Sequence, residues 1–415
     1  MNKKPASLSS TLNHLMHHER AQLLAILIKQ INDIELAEDV LQEAFIKAWS
    51  QWPSSTVPDN PKSWLLKTAY NQAIDNLRRQ QNFNSKQSLI AHLQELQHDM
   101  AADMDDAGIP DERLRLIFSC CHPALDDNTQ VALTLNTVCG FTAEQVAESF
   151  VLKTATMAQR LVRAKRKIKL SAIPYQVPSP DQLPAKLDHV LAVIYLIYNA
   201  GYYNSEQSEL FNLEHTDEAF YLANTLNQLL PNQAEVLGLL ALMYFHQSRL
   251  EARAKNSEHF ISLEQQDRSL WLTDLIDQAN ELFKQAMTCK NMGPYQIQAA
   301  ISGVHSLAKS WDETDWPQIV ALYEKLSQYL PTATVKINQA VAMSYAGQIT
   351  PAWELLQTID TQSLQNYLPY YLAHAQISKL RAEPQAAANY FSHAMALSKN
   401  RQERGFIQQQ IDLLS

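Results

Sequence analysis

The residues with the clearest chemical meaning are seven cations between Ser149 and Pro180, a stretch without any acidic residue. They are Lys153, Arg160, Arg163, Lys165, Arg166, Lys167 and Lys169. The whole chain has a formal net charge of −9, so this stretch reverses the overall sign. A local basic run in an acidic chain favours binding to a polyanion such as nucleic acid.

These cations fall on the second of two short predicted helices. Thr142 and Gln145 have the spacing of a capping box, and Thr154 is predicted to cap the second helix. In a helix-turn-helix, the early outward positions of the second helix contact base edges, and later cations such as Arg166 neutralise phosphates. The early outward residues here are Thr156, Gln159, Arg160 and Arg163. The alternative is a solvated basic helix face, but the capped helix pair favours DNA reading.

A second candidate surface lies on a long amphipathic pattern over residues 17–52. The predicted apolar stripe consists of Leu36, Val40, Phe45, Ala48 and Trp49. Three polar residues, Asp39, Gln42 and Glu43, share the opposite side by their helical spacing. An ordinary solvated helix face would show the same pattern, so this cluster alone does not define a partner.

A further helix follows a Pro-rich loop and is predicted to begin with Ser63 as its cap. Its outward residues are Asn71, Asp75, Arg78 and Arg79. A loop followed by a helix with aromatic residues and terminal arginines suits unstacked bases and a strand backbone. Trp64 is predicted to belong to the core rather than to a stacking platform.

No constellation in the chain predicts an active site. The adjacent Cys120, Cys121 and His122 do not have zinc-ligand spacing and are interpreted as a buried helix end before Pro123. The sequence lacks a Gly-rich phosphate loop. We therefore predict a protein that is not an enzyme and has neither a cofactor nor a metal. The four cysteines give no disulfide framework, and no apolar run has the length of a membrane span, so a cytoplasmic location is expected.

Composition predicts an all-α protein with an acidic C-terminal half. The chain has only 8 Gly, and it lacks Asn-Gly and Asp-Gly hairpin turns. Residues 1–180 have 19 cations and 19 acids, so the negative excess lies in residues 181–415. A weak internal repeat of 35 residues pairs Ala340, Ala352 and Leu356 with Ala375, Ala387 and Phe391. This spacing is close to that of a helix-turn-helix repeat of about 34 residues and predicts a tetratricopeptide-like (TPR-like) array.

In order and spacing, three segments together resemble bacterial RNA polymerase sigma factors of the extracytoplasmic-function (ECF) type. They are LAEDVLQEAFIKAW, NPKSWLLKTAYNQAIDNLRR and the helix-turn-helix. The segments DERLRLIFSCCHPAL and TMAQRLVRAKRKI and the long extension resemble the subgroup with a TPR-like C-terminal domain. The resemblance implies a sigma domain 2 bundle over 1–85, an acidic linker over 86–109, a sigma domain 4 helix-turn-helix over 110–170, a Pro-rich linker over 171–184 and a TPR-like domain over 185–415.

The resemblance also implies roles for the candidate residues. Asp39, Gln42 and Glu43 would dock on the polymerase clamp helices. The upstream edge of the melted promoter would be held by the 53–62 loop with Asn71, Asp75, Arg78 and Arg79. The minus-thirty-five element would be read by Thr156, Gln159, Arg160 and Arg163. Two departures weaken the match, because the melting helix has only Trp64 and Tyr70 as aromatic residues and Ala200 stands where the subgroup has an acid.

The function implied is a sigma factor that binds core RNA polymerase and directs promoter-specific initiation, modulated by its C-terminal domain. Its expected partners are core polymerase, promoter DNA and a regulatory protein or peptide on the C-terminal domain, with no membrane contact. The alternative is a stand-alone helix-turn-helix regulator with a helical sensor domain. Such regulators usually dimerise, and that alternative leaves the 36–49 face unexplained.

Overall fold

The computed structural model describes most of the chain, in segments separated by short gaps. The described residues are 12, 15–52, 57–79, 92–93, 110–150, 152–171, 179, 182–202, 213–254, 261–359, 364–365, 367–398 and 401–414. They form two compact units, Met1–Leu196 and Ile197–Ser415. Every regular element in the described part of the chain is helical, which confirms the all-α prediction.

The first unit begins with a π-helical turn, Leu15–Glu19, and continues with eight described helices, the last of which crosses into the second unit. These are α1 Arg20–Ile31, α2 Ile34–Gln51, α3 Pro61–Arg79, α4 Pro110–Cys120, α5 Asp127–Thr137, α6 Ala143–Ser149, α7 Thr154–Leu170 and α8 Leu183–Tyr202.

The second unit continues with eleven described α-helices and two short 3-10 turns, Leu263–Gln265 and Arg268–Leu270. The helices are α9 Leu213–Leu229, α10 Ala234–Gln247, α11 Leu250–Ala254, α12 Thr273–Thr288, α13 Pro294–Leu307, α14 Trp316–Tyr329, α15 Ala333–Tyr345, α16 Ile349–Gln357, α17 Leu368–Leu380, α18 Pro384–Leu397 and α19 Arg401–Asp412.

Helices α1, α2 and α3 pack on one another around apolar side chains, among them Leu24, Val40 and Leu65, which are fully buried. The chain turns sharply between α1 and α2 because Asn32 adopts a left-handed conformation with φ 55°. Asp33 then caps α2 by accepting a hydrogen bond from the Leu36 backbone N–H at 3.3 Å. These local signals fix the direction of the helix that presents the Asp39 cluster.

In the second unit, α10 lies against α12 and α13 at close range. Gly238 allows the contact with α13, since a Cβ there would stand 2.8 Å from the Gln296 backbone nitrogen. Glu235 strengthens it by accepting hydrogen bonds from the Tyr295 and Gln296 N–H groups at the start of α13. A carboxylate at a helix N-terminus satisfies donors that the helix itself leaves unpaired.

The 35-residue spacing of the sequence corresponds to two successive helix pairs. Helix α17 begins 35 residues after α15, and α18 begins 35 residues after α16. The small residues of the repeat, Ala340, Ala352, Ala375 and Ala387, are all fully buried. Small buried side chains at matching positions let the helices of each pair approach closely.

Several predicted segments lie outside the described residues. They include residues 53–56 of the Pro-rich loop, the acidic linker over 86–109 except for His92 and Leu93, and most of the 171–184 linker. In the part of the chain that is described, no helix combines the length and the apolar character needed to cross a membrane.

Candidate nucleic-acid interface

The four predicted base readers come together on one side of α7. Thr156, Gln159 and Arg163 are exposed, Arg160 is half-buried, and all four line a single groove of about 350 Å³. The other residues that line this groove are Leu125, Asp126, Thr129, Ala164 and Lys167. The structure therefore gathers these side chains into one concave, largely cationic surface. Arg166 is exposed but does not line the groove.

The helix pair that carries this groove forms as its sequence predicts. Thr142 and Gln145 exchange two hydrogen bonds, 2.9 Å from the Thr142 N–H and 3.2 Å from the Gln145 N–H, which confirms the capping box. Val146 of α6 and Met157 of α7 are fully buried, so the pair has an apolar interior. The predicted cap of the second helix is wrong. Thr154 is already the first residue of α7, and Lys153 precedes it in an extended conformation without a side-chain cap.

One carboxylate also lines the groove. Asp126 caps α5 and accepts hydrogen bonds from the Thr129 hydroxyl at 2.6 Å and the Thr129 N–H at 3.0 Å. The hydroxyl bond lowers the pKa of Asp126, with a smaller contribution from the Arg160 charge. The Arg160 guanidinium also lies 5.9 Å from the centre of the Phe150 ring. Arg160 therefore already interacts with Phe150 and Asp126 within the protein. Arg163 is exposed and, among the described residues, forms no ion pair.

The back of α7 contacts the start of α2. Lys165 forms an ion pair with Glu38 at 2.5 Å and donates to the Asn136 side-chain oxygen at 3.0 Å. Lys169 pairs with Asp33 at 2.5 Å, and the Lys167 ammonium donates to the Ala124 carbonyl. Lys165 and Lys169 therefore hold α7 on α2, whereas Arg166, the later cation predicted to contact phosphate, is exposed.

The face of α2 with the Asp39 cluster is larger than the sequence predicts. Asp39 and Gln42 are exposed and Glu43 is half-buried, as expected. Burial raises the pKa of Asp39, and the neighbouring charges of Glu38 and Glu43 raise it further. Ile46 and Trp49 are also exposed, 60% and 56% respectively, and lie on the same face by their helical spacing.

Placing Trp49 in the buried stripe was therefore wrong, and Ile46 was missed as part of this surface. The signal was present in the sequence, since positions 39, 42, 46 and 49 follow one side of a helix. The result is a surface, here called the α2 face, of Asp39, Gln42, Glu43, Ile46 and Trp49. An exposed tryptophan beside an isoleucine and carboxylates is typical of a protein-binding surface.

The outward residues of α3 form a separate surface. Asn71, Asp75, Arg78 and Arg79 are all exposed, and none of them lines the α7 groove. The predicted cap of this helix is wrong, because Asn60 accepts the hydrogen bond from the Ser63 N–H at 3.1 Å. Trp64 is half-buried and its ring meets Trp52 edge-on at 5.4 Å between centroids, which agrees with a packing role.

The Cys120–His122 segment has a packing role in the structure. Both cysteines are buried at the end of α4, and Cys121 contacts the Thr134 hydroxyl at 3.5 Å. Burial raises the pKa of Cys121 to about 12, so this thiol is not poised as a nucleophile. Within the described ranges, no group of three or more His, Cys, Asp and Glu side chains is placed to hold a metal.

Two parts of the chain match known protein families, and one known protein is similar to nearly all of it. Residues 15–83 match sigma-70 region 2, and residues 186–287 match a family of unknown function, DUF6596. An uncharacterized protein of Rhizobium meliloti is 33% identical over 398 residues, which cover 95% of this chain and 94% of that protein.

Shorter matches are to proteins with named roles. The ECF RNA polymerase sigma factor SigK of Mycobacterium ulcerans is 24% identical over 154 residues, 37% of this chain and 80% of that protein. The ECF RNA polymerase sigma-E factor of Haemophilus influenzae is 28% identical over 144 residues, 33% of this chain and 74% of that protein. No solved structure gives a significant match. The chain therefore belongs to the same family as the Rhizobium meliloti protein. Its N-terminal part contains sigma-70 region 2 and is similar to ECF RNA polymerase sigma factors.

Proposed function

We propose that this protein is a sigma factor that docks on core RNA polymerase through the α2 face and reads promoter DNA through the α7 groove. The observation that carries the proposal is the groove itself, where Thr156, Gln159, Arg160 and Arg163 converge on one side of a helix-turn-helix. Arginine and glutamine side chains can each make paired hydrogen bonds to base edges in the major groove. The relatives named as RNA polymerase sigma factors support the same two partners.

Run-off transcription tests this function directly. Purified core polymerase is supplied with a cognate promoter template, with and without the full-length protein. We expect a discrete transcript only when the protein is present and the promoter is intact. Core polymerase that gives the same transcript without the protein, or no transcript in either case, would contradict the proposal.

Reversing two charges on the α2 face should weaken polymerase binding without unfolding the chain. The change is Asp39→Lys together with Glu43→Lys, and the expected loss is about tenfold in affinity, mainly through slower association, since rim charges chiefly steer encounter. Trp49→Ala should instead raise the dissociation rate, because it removes exposed apolar area from the contact. Surface plasmon resonance with immobilised core polymerase separates the two rates.

The matched control reverses two exposed acids in the second unit, Glu324→Lys with Glu354→Lys. It changes the net charge by the same amount, so a non-specific charge effect would affect both double variants alike. The docking proposal requires the α2 variant to bind more weakly than the control. Equal binding by the two would show that the α2 face is not the docking surface.

We further propose that Asn71, Arg78 and Arg79 hold the upstream edge of the melted promoter. Their exposure on one helix supports contact with a strand backbone. The arginines also stand in the last turn of α3, where the helix dipole favours cations, and that alone would explain their position. Footprinting on a pre-melted template distinguishes the two roles, since only strand binding predicts loss of protection after Arg78→Ala with Arg79→Ala.

For the C-terminal part we propose a TPR-like domain over residues 185–415 that modulates the factor. The domain limits of the sequence analysis remain proposals, namely 1–85, 110–170 and the two linkers between domains. Support for a repeat comes from the two helix pairs that begin 35 residues apart and bury matching alanines. A helical array of this kind offers a surface for a regulatory protein or peptide.

Deleting the chain after Pro180 tests whether this domain assists or inhibits. We expect transcript from the cognate promoter to fall to the level of core polymerase alone, because the subgroup resemblance implies an extension that completes the factor. Circular dichroism of the truncated chain shows whether its helices still form. Higher output together with tighter DNA binding at low salt would mean that the domain inhibits, and unchanged output would exclude a modulatory role.

A further inference from the structure

The second unit contains a buried arginine that has no anionic partner among the described residues. Arg249, between α10 and α11, is only 7% exposed, and its Nε atom has no hydrogen-bond partner. Among the described residues it forms no ion pair. Its guanidinium carbon lies 5.8 Å from the centre of the Trp271 ring. Trp271 is itself 6% exposed, and its indole N–H also lacks an acceptor. Two buried N–H donors therefore stand close together without a partner.

Other cationic groups surround this pair. Arg268 lies 4.6 Å from the same Trp271 ring, and Arg253 is buried nearby on α11. The pKa of His305 is lowered to about 3, mainly by burial and then by the charges of Arg249 and Arg268. The pKa of His246 is lowered in the same way, first by burial and then by Arg249 and Arg253. The lowered pKa values of both histidines thus indicate a positive electrostatic potential around Arg249.

The charge of Arg268 has a structural explanation that Arg249 does not share. Arg268 donates to the His305 and Ala308 carbonyls, at 2.5 and 2.6 Å, at the C-terminal end of α13. Cations at that end of a helix are stabilised by unpaired carbonyls and the helix dipole. Burial lowers the pKa of the Arg268 guanidinium, whereas the carboxylate of Glu313 favours its charged form and opposes that lowering. Arg249 has the aromatic ring and further cations as its neighbours, and these do not neutralise it.

Burying a charge without a counter-charge is unfavourable, whereas an apolar side chain of similar size would avoid the desolvation cost. An arginine kept in this position therefore indicates a ligand that supplies the missing charge. The unpaired groups on Arg249 and Trp271 are donors, so the ligand must supply acceptors. A guanidinium can bind a carboxylate or a phosphate through two parallel hydrogen bonds.

A groove lies beside the cluster. Its lining includes Glu313 and Asp315 but none of the four cluster residues Arg249, Arg253, Arg268 and Trp271. It has a volume of about 490 Å³ and is lined mainly by apolar residues of α12, α13 and α14. Ala308 belongs to its lining, and the carbonyl of that residue accepts a hydrogen bond from Arg268. The groove and the cationic cluster are thus directly adjacent.

We propose that Arg249 and Trp271, supported by Arg253 and Arg268, form a binding site for a small molecule that carries an oxyanion group. The ligand class is a phosphate-bearing or carboxylate-bearing metabolite. The site would make the second unit a ligand sensor. This inference goes beyond the proposed transcription function and does not depend on it.

Indole N–H resonances of the full-length protein test the site directly. The chain has seven tryptophans, and the Trp271 signal is assigned as the one lost in Trp271→Phe. The protein is titrated separately with inorganic phosphate and with succinate, each against sodium chloride at equal ionic strength. We expect a saturable shift of the Trp271 indole resonance with one oxyanion and none with chloride. Phosphate and succinate together distinguish the two ligand classes.

Substitutions of Arg249 then test whether the anion binds at this side chain. Arg249→Gln should abolish the shift, and Arg249→Lys, which keeps the charge and the packing, should weaken binding at least about tenfold because it loses the planar fork. Arg381 is the matched control, since it stacks on Trp353 at 4.5 Å but has Glu383 as an ion-pair partner. Arg381→Gln should leave the titration unchanged. Failure of both oxyanions to shift the wild-type signal, or an unchanged titration in Arg249→Lys, would overturn the proposal.

Discussion

Replacing Arg163 with alanine should lower affinity for the cognate promoter by about 1–3 kcal/mol, roughly 5–150-fold, and transcription with it. Arg163 is exposed in the α7 groove and, among the described residues, forms no ion pair. Its guanidinium can therefore make paired hydrogen bonds to a base without first losing a partner in the protein. Arg160→Ala should have a smaller effect, because Arg160 already interacts with Phe150 and Asp126.

Arg166 supplies the control for this experiment. It is an arginine on the same helix, exposed but outside the groove. Arg166→Ala should weaken binding to all DNA sequences alike and reduce the slope of log affinity against log salt by about 0.9, as expected for one lost phosphate contact. Fluorescence anisotropy on cognate and scrambled duplexes gives both quantities. If Arg163→Ala weakens the two duplexes equally, α7 does not read sequence through Arg163.

The helix-turn-helix shows which local signals the sequence carries. The Thr142–Gln145 capping box could be predicted because both partners lie within one helical turn. Thr154 and Ser63 were misassigned as caps, by one residue and by three residues respectively. A polar residue in the first turn and a true cap have similar composition, and only backbone geometry separates them.

The α2 face shows a different kind of limit. Periodicity predicts that one side of α2 is apolar and buried, and Val40 and Ala48 are indeed buried. Trp49 departs from this pattern because an apolar residue at the boundary of a stripe can face either the core or a partner. Amphipathic spacing does not show whether such a residue packs in the core or on a partner. The exposure of Ile46 and Trp49 could therefore be assigned only from the structure.

Long-range pairs were beyond the reach of sequence patterns. Lys165 and Glu38 are separated by 127 residues, and nothing in their local spacing predicts that they meet. The buried Arg249 was missed for a related reason, since it stands among residues whose helical pattern gives no sign that its counter-charge is lacking. Local sequence propensity predicts where helices form, whereas the electrostatic environment of a side chain depends on how those helices pack against one another.

Removing Glu38 should destabilise the contact between α7 and α2 by about 3 kcal/mol, because it leaves the buried Lys165 ammonium without its counter-charge. The two side chains are only 10% and 17% exposed, so solvent cannot replace the lost partner effectively. After Glu38→Ala, the remaining partner of Lys165 among the described residues is the Asn136 side-chain oxygen. Amide hydrogen exchange over α2 and α7 is the suitable measurement, since it reports local opening in a chain of two units. We expect exchange in both helices to accelerate by about 100-fold, the factor that corresponds to this energy loss.

Two further variants separate a buried ion pair from a general effect of mutation. Glu38→Leu with Lys165→Met replaces both charges with apolar groups and should recover most of the protection, since a well-packed apolar pair avoids the desolvation cost. Glu281→Ala breaks an exposed ion pair with Lys284 on α12, where both side chains are at least 65% exposed. This variant should leave amide exchange in α2 and α7 unchanged. If the double variant exchanges as fast as Glu38→Ala, the loss comes from removing the ion pair itself and not from leaving Lys165 without a counter-charge. If Glu38→Ala itself leaves both helices protected, the Lys165 pair does not hold that contact.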